Sequence, residues 1–455
     1  MSIINYIMDM GPSVMMPIIF SIFALLLGVK FGKAIKSGLL VGIGFIGLSL
    51  VIGLLTDNLG PAAQQMVKNF GLQLNVIDVG WPAAAAIAFG SKVGALMIPI
   101  GLLVNIIMLL TKTTQTVNID IWNYWHFAFT GSIIAVLTGS VGWGIFAAVI
   151  NMIIIMIIGD LTAKGVEEEL GLEGISIPHG FSAGFVPIAI IVNKILDYIP
   201  GINNVEIDAE TLQKKFGVFG EPVFLGTIIG AILGIIAKYD LKQILTLAVT
   251  MGAVLVLIPK MAALLMEGLM PVSEAVQSLI ERKFKSNSKL YIGLDSAVSI
   301  GHPTTLVVSL LLVPITLLLS VIIPGNAFLP FASLAGLPFM FVLIVPVTKG
   351  NVLRTLIVGI FIIIFGLLFA TNLAPLFTTA AKQVNFAMPG ESTLVSSIDY
   401  AASPIPWVIT KLIELRYVGA TIITLFTLWF MYLNRRRIIK EANAEALNKT
   451  HSTQM

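Results

Sequence analysis

Long apolar segments recur along almost the whole chain, and they constrain the fold more than any other feature. A helix of about 20 apolar residues crosses the hydrocarbon core of a bilayer. Only 11% of the 455 residues are charged, whereas a soluble domain carries roughly 25%. The sequence therefore predicts an all-α polytopic membrane protein. Candidate spans cover residues 12–29, 38–55, 93–110, 131–158, 220–237, 244–266, 304–323, 351–370 and 415–433.

Further apolar stretches are interrupted by glycine, proline or polar residues. They cover residues 77–90, 175–196, 290–303 and 324–346. Non-helical backbone at membrane depth is tolerated only where protein buries it or where it lines a wet cavity. We therefore expect re-entrant or broken segments here, and a functional site among them.

The chain also has a weak internal repeat. The segments that begin at Gly11 and Gly220 each read as an apolar span, a short basic turn and a second apolar span. Five spans in each half would invert the second half relative to the first. The pattern predicts one repeat over about 11–200 and another over about 220–375, followed by a final span at about 412–433.

Lysine and arginine set the expected orientation. The run at 435–437 follows the last span, and the turn at 30–36 carries three lysines. Both are expected on the cytoplasmic side, which places the N-terminus outside and gives about eleven spans. The membrane domain would then cover 1–435, with a cytoplasmic tail at 436–455.

Ionisable residues inside apolar segments are the first candidates for function, because each costs about 2.5–3.5 kcal/mol to insert. Asp295 lies in YIGLDSAVSIGHP, with His302 seven residues later. The carboxylate could bind or deprotonate a polyol hydroxyl, or it could simply cap a helix. His179, between Pro178 and Gly180, could contact substrate or bond to a neighbouring carbonyl.

Three further residues are weaker candidates for substrate binding. Glu221 begins a span, where capping of the helix N-terminus is the simpler account. Asp78 and Trp81 hold the equivalent place in the first half, and Trp81 would serve either at the membrane interface or as a platform for a sugar. His126 lies beside aromatic residues at 122–125, which we interpret as a membrane-interface belt.

The sequence lacks the motifs that several classes of function require. The chain has no cysteine, four dispersed histidines and a net charge of +3, which argues against thiolate chemistry, a metal cluster and nucleic-acid binding. No phosphate-binding loop or dinucleotide fingerprint is present. We expect no metal and no cofactor.

The motifs GEP at 220–222, GLDSAVSIGHPTTL at 293–306 and IPHGFSAGF at 177–185 together resemble a known family. It is the galactitol-type membrane subunit, EIIC, of the bacterial phosphoenolpyruvate-dependent phosphotransferase system, in a superfamily that includes ascorbate permeases. The similarity covers about residues 1–435.

The resemblance implies a homodimer in the plasma membrane, with a scaffold and a mobile core that carries a polyol between the two faces in an elevator-like motion. By motif position, His179 and Asp295 resemble the histidine and aspartate that contact substrate in the ascorbate relatives. The carry-over to Glu221 and His302 is weaker. Separate EIIA and EIIB subunits carry the phosphoryl group in this family, so both would be partners of a chain that has no phosphocysteine or phosphohistidine domain.

Two other functions fit the residues. Inverted repeats with a membrane carboxylate also suit a proton- or sodium-coupled secondary transporter. A membrane-embedded enzyme could use His179 and Asp295 as an acid–base pair. The chemical form of the transported product discriminates among the three functions, since only a phosphotransferase-system permease requires phosphorylation of the substrate by partner subunits.

Overall fold

The computed structural model describes most of the chain, with gaps. The described residues are 17–18, 21–22, 24–69, 76–120, 123–202, 205, 207, 222–283, 290–330, 332–384 and 394–452. This part of the chain is predominantly helical, as predicted.

The helices of the first part of the chain are separated by short strands and turns. In order they are α1 Phe31–Asn69, α2 Gly80–Gly90, α3 Lys92–Leu110, α4 Tyr124–Thr138, α5 Val141–Leu170 and α6 Gly180–Leu196.

The later helices include both the longest and the shortest of those described. They are α7 Pro222–Ile236, α8 Leu241–Lys283, α9 Pro303–Ile322, α10 Leu337–Phe341, α11 Ile344–Val347, α12 Val352–Gln383, α13 Pro404–Glu414 and α14 Arg416–Ser452.

Short parallel strands, which the sequence analysis did not predict, form two small sheets. The strands are β1 Val76–Asp78, β2 Thr116–Asn118, β3 Ile175–Ser176, β4 Tyr291–Gly293, β5 Phe328–Leu329 and β6 Leu394–Ser396. One sheet has the order β2-β4-β3 and the other β5-β1-β6. Each sheet thus takes its central strand from one half of the sequence and its outer strands from the other. Backbone groups in the broken segments hydrogen-bond to each other through these sheets, which removes the cost of burying them unpaired.

The broken segments occur where the sequence analysis expects them. Residues 77–90 run from β1 into α2 through Gly80 at φ 68. Residues 290–303 form β4, a 3₁₀ turn at Ser296–Ser299 and the start of α9, with Pro303 in its first turn. Residues 324–346 contain β5, another 3₁₀ turn and two very short helices. Each break puts irregular backbone inside the protein, where polar side chains can gather.

One predicted span is wrong in its boundaries. The stretch 131–158 is divided between α4 and α5, because Gly139 adopts a φ of 69 and ends α4. Ser140 then caps α5 by accepting a hydrogen bond from the backbone of Trp143. Within the described ranges, four helices are long and apolar enough to cross a membrane: Val141–Leu170, Pro303–Ile322, Val352–Gln383 and Arg416–Ala444.

Close helix packing explains the glycine spacing in α7. A Cβ on Gly226 would lie 2.6 Å from the carbonyl oxygen of Met251, and one on Gly230 would lie 2.7 Å from that of Leu247. Glycines four residues apart let α7 approach α8 closely, as small residues do in other membrane helices. Helix α8 also packs along α1 and contacts the 3₁₀ turn at 296–299.

Candidate functional site

The edge of the β2-β4-β3 sheet brings together three side chains that are distant in sequence. The strands are parallel, with Gly293 opposite both Asn118 and Ser176. The carboxyl ends of parallel strands lie at the same end of a sheet, so the residues that follow them are close together. Asp120, His179 and Asp295 each come two or three residues after their strand. The three are consequently neighbours.

Backbone hydrogen bonds fix the path of Asp295. Leu294 N donates to Ser176 O at 3.0 Å, and Asp295 N donates to Asp120 Oδ2 at 3.0 Å. Asp295 Oδ1 accepts from Ala297 N at 2.7 Å and so caps the 3₁₀ turn. The capping role considered from the sequence is therefore present, and it occupies Oδ1 rather than Oδ2.

His179 and Asp295 face each other in the protein interior. His179 Nε2 lies 3.4 Å from Asp295 Oδ2, and the two side chains are 4% and 6% exposed. The two candidates ranked first from the sequence are thus in contact. A buried carboxylate beside an imidazole can hold a hydroxyl group or move a proton, so this pair is the chemical centre of the candidate site.

Two serine hydroxyls lie beside Nδ1 of His179. Ser296 Oγ lies 2.9 Å from His179 Nδ1, and Ser182 Oγ lies 3.4 Å from the same atom. Ser182 donates its hydrogen to Phe339 O, whereas Ser296 also hydrogen-bonds to Asp295. The Ser296 hydroxyl thus contacts both members of the pair, and it holds the ring at Nδ1 while Nε2 faces the carboxylate.

His126 lies beside His179 in the protein interior, not at the membrane interface. His126 is 0% exposed, and Tyr124 and Trp125 are 0% and 2% exposed. The interpretation of this cluster as an interface belt is wrong for these three residues, because their side chains on α4 point into the protein interior. The His126 ring lies 4.3 Å from that of His179, centroid to centroid, at an interplanar angle of 82°.

Tyr400 joins the same cluster from a segment that the sequence analysis missed. Its ring lies 5.2 Å from that of His126, and its hydroxyl donates to Asn151 Oδ1. The preceding residue is Asp399, which is buried. The run of aspartate, small residues, serine and proline at 399–404 resembles the one at 295–303, and that similarity could have identified the segment.

Asp78 belongs to a second polar cluster, at the edge of the β5-β1-β6 sheet. Its carboxylate accepts from Ser333 N and Ser333 Oγ, both at 2.7 Å. Ser333 Oγ is 3.1 Å from Ser397 Oγ, and Ser397 donates to Asp399. Asp78 is thus connected through Ser333 and Ser397 to Asp399. Trp81 follows Asp78 by three residues, in the first turn of α2. Neither is part of the His179–Asp295 contact.

The remaining candidates are not brought to the pair. His302 immediately precedes α9 and hydrogen-bonds to the backbone of Glu169, so it sits at the end of α5. Glu221 lies outside the described residues. In the parts of the chain that are described, no group of three or more histidine and acidic side chains could hold a metal ion.

Comparison with known proteins identifies the family. A family model described as a PTS system sugar-specific permease component, EIIC-GAT, matches residues 6–391. The chain belongs to this EIIC family. It is 42% identical over 421 residues to the galactitol-specific EIIC component of Escherichia coli strain K12, covering 92% of this chain and 93% of the relative. A protein of the same description from Escherichia coli O157:H7 matches with the same figures.

As an EIIC permease, the chain is a membrane component of sugar transport in the phosphotransferase system. Membership implies EIIA and EIIB partners and a sugar substrate. The family match ends before Asp399 and Tyr400, whereas the similarity to the two relatives extends over most of the chain.

Proposed function

We propose that this EIIC permease binds galactitol from outside, carries it across the membrane and presents it to phospho-EIIB. The observation that carries this proposal is the buried contact between His179 Nε2 and Asp295 Oδ2 at 3.4 Å. The pair lies on irregular backbone between helices, which is the setting of substrate sites in transporters. The 42% identity to galactitol-specific relatives supports the choice of hexitol.

Asp295 is assigned the role of orienting and deprotonating the attacking hydroxyl. Its Oδ1 is held by Ala297 N, whereas Oδ2 faces His179 and can receive a proton. The hydroxyl oxygen forms a bond to the phosphorus of the EIIB phosphocysteine, and the sulfur–phosphorus bond breaks. The proton moves to Asp295 Oδ2, and the thiolate leaves with its electron pair. The charged ester is then retained, because an apolar barrier opposes its return.

An inverted repeat with a mobile core is the architecture that fits this function. The exchange of strands between the two sheets supports it, since each central strand comes from the opposite half of the sequence to its two neighbours. Strand β6 at Leu394–Ser396 lies beyond the end that the sequence pattern gives to repeat two. The broken segments would move with the core in an elevator-like motion. We assign repeat one to about 11–200, repeat two to about 220–375 and a final span to about 412–433, within about eleven spans.

Helices α1, α7 and α8 are the proposed dimerising scaffold. Helix α8 packs along both of the others. Lys33 pairs with Glu274 at 3.0 Å and Lys36 with Glu267 at 3.4 Å, which makes α1 and α8 antiparallel. The proposed orientation puts the N-terminus outside and the arginine run of α14 in the cytoplasm.

The test is to identify the product of transport. Right-side-out membrane vesicles that contain this EIIC are loaded with EIIA, EIIB, the general phosphotransferase proteins and phosphoenolpyruvate, and are then incubated with labelled galactitol. Galactitol phosphate should form only when all components are present. Accumulation of free galactitol that collapses with an uncoupler would support a secondary transporter instead. A product formed by EIIC alone would point to a membrane enzyme.

A further inference from the structure

A chain of side-chain oxygens joins two carboxyl groups at the edge of the β5-β1-β6 sheet. Ser333 Oγ lies 2.7 Å from Asp78 Oδ1 and 3.1 Å from Ser397 Oγ, and Ser397 Oγ contacts Asp399 Oδ2. Asp399 and Ser333 are each 1% exposed, and Ser397 is 0% exposed. The proposed transfer of the phosphoryl group uses neither carboxyl group, so the chain of oxygens needs an explanation of its own.

The two hydroxyl hydrogens do not suffice for the three contacts. With both carboxyl groups ionised, Ser333 donates to Asp78 and Ser397 donates to Asp399, which uses the one hydrogen of each hydroxyl. The two serine oxygens, 3.1 Å apart, then face each other without a hydrogen between them. Buried polar atoms in contact are almost always hydrogen-bonded, so the contact between the serines requires one further hydrogen.

Backbone donors indicate which carboxyl group carries that hydrogen. Asp78 accepts from Ser333 N at 2.7 Å and from Gly80 N at 2.9 Å, and it is partly exposed. Asp399 lies deeper and accepts from the backbone at Ala401 N, at 2.9 Å. Hydrogen bonds from N–H groups and contact with water both stabilise an ionised carboxylate. These surroundings favour a charged Asp78 and an uncharged Asp399.

The two sheets place a titratable side chain at the same position. Strand β3 pairs in parallel with the central strand β4, and β6 pairs in parallel with the central strand β1. His179 follows the last residue of β3 by three residues, and Asp399 follows the last residue of β6 by three. Asp399 thus holds, in the second sheet, the position that His179 holds in the first.

We propose that Asp399 is a proton-binding site, in which the carboxylic acid donates to Ser397, Ser397 to Ser333, and Ser333 to the Asp78 carboxylate. The ligand is a proton from the aqueous phase, and its binding is a property beyond the transport of galactitol. Because Asp78 is partly exposed, the two hydroxyls connect the buried acid to water by passing hydrogens along the chain. When the proton leaves for water, the hydrogen bond between the two serines is lost.

Loss of this proton reaches the candidate site through Tyr400. Tyr400 follows Asp399 directly, and its ring lies 5.2 Å from that of His126. A Cβ on Gly180, at the start of α6, would lie 3.0 Å from Tyr400 Cε2. The 3₁₀ turn at Tyr400–Ala402 is therefore packed between the proton-binding site and the first turn of α6.

Few titratable groups face Asp399 from the described elements around it. Strand β1 ends at Asp78, α4 presents His126, and α6 follows His179. Helix α2 has no charged residue, and α12 and α13 carry theirs towards their ends, at Arg354, Lys382, Lys411 and Glu414. The hydrogen bond between the two serines depends on Asp399, so exchange of this residue isolates its contribution.

The test records infrared spectra of the purified full-length EIIC, in which a protonated carboxyl group gives a carbonyl stretching band distinct from that of a carboxylate. Asp399→Asn should lose the band of one carboxyl group at neutral pH. Asp197→Asn, which removes an exposed carboxylate paired with Arg354, is the matched control and should keep it. Raising the pH should remove the same band from the wild type, and lowering the pH should restore it. Identical bands in the wild type and Asp399→Asn overturn the proposal.

A second variant tests the hydroxyl chain without exchange of the acid. Ser397→Ala removes the acceptor of the Asp399 hydrogen, so the carbonyl band should move to higher frequency, whereas Ser309→Ala should leave it in place. If Asp399→Asn does not fold, an unshifted band in Ser397→Ala overturns the proposal. Thermal unfolding gives an independent readout. Unfolding releases the bound proton, so wild-type stability should fall as the pH rises, and that of a folded Asp399→Asn should fall less. Equal pH dependence would also overturn the proposal.

Discussion

Asn434 donates a 2.7 Å hydrogen bond to the carboxylate of Asp160 and thereby attaches the last helix to the sheet of the candidate site. Asp160 is 1% exposed and also accepts from Thr116 Oγ1 at 2.7 Å. Thr116 Oγ1 in turn lies 2.7 Å from Ser176 Oγ. A continuous chain of bonds therefore runs from α14 through α5 to β2 and β3, and His179 follows β3.

Substitution at this attachment should lower stability. Asn434→Ala leaves Asp160 with its other donors, so the free energy of unfolding should fall by about 1 kcal/mol. Asp160→Asn replaces an oxygen acceptor with an NH2 group that faces hydrogen-bond donors. The free energy of unfolding should therefore fall by about 1–3 kcal/mol. Thermal unfolding in detergent measures both. Thr421→Ala, on an exposed face of α14, is the control, and an Asp160→Asn protein as stable as this control would contradict the prediction.

Replacement of Asp295 should stop phosphorylation. In Asp295→Asn the amide cannot take the hydroxyl proton, so phosphoenolpyruvate-dependent formation of galactitol phosphate should drop by at least about 100-fold. Initial rates in vesicles with EIIA and EIIB give the measurement. Asp197→Asn removes an exposed carboxylate that pairs with Arg354 and should retain full activity. Wild-type rates in Asp295→Asn would refute the role of base.

Ser296 should act as a positioning residue for His179 and Asp295. Ser296→Ala removes the hydroxyl 2.9 Å from His179 Nδ1 and with it a hydrogen bond to Asp295. We expect the catalytic rate to fall about 3- to 10-fold, with a smaller change in the Michaelis constant. Ser309→Ala is the matched control, because among the described residues the hydroxyl of that serine donates back to Thr305 O in its own helix. Equal kinetics in the two variants would argue that Ser296 has no positioning role.

A methyl group at Gly180 should disturb the site more than one elsewhere. Gly180→Ala forces a contact of 2.5 Å with His126 Cβ, and overpacking of this kind costs about 1–3 kcal/mol. Galactitol affinity should fall together with thermal stability. At Gly142 a Cβ would meet nothing nearer than 3.6 Å, so Gly142→Ala should be neutral. The two alanine variants are compared by calorimetry and thermal unfolding, and similar values for both would contradict the packing argument.

The contact at the centre of the candidate site involves residues that the sequence singles out, because burial of charge is costly in a membrane protein. Asp295 and His179 stand out as ionisable residues in apolar, glycine- and proline-broken segments, and the structure places them in contact. His126 was misread, because neighbouring aromatic residues are equally typical of an interface and of a packed interior. Asp399 and Tyr400 were missed, because their apolar segment was not recognised as broken.

The sequence by itself determined that the chain is a membrane permease component, because too few charged residues remain to cover a water-facing surface and because its motifs are those of the EIIC family. The tertiary structure decided which polar residues meet. Parallel strands of only two or three residues pair segments more than a hundred residues apart. Such strands leave little periodic signal in the sequence, so only the folded chain reveals that His126, His179 and Asp295 share one interior.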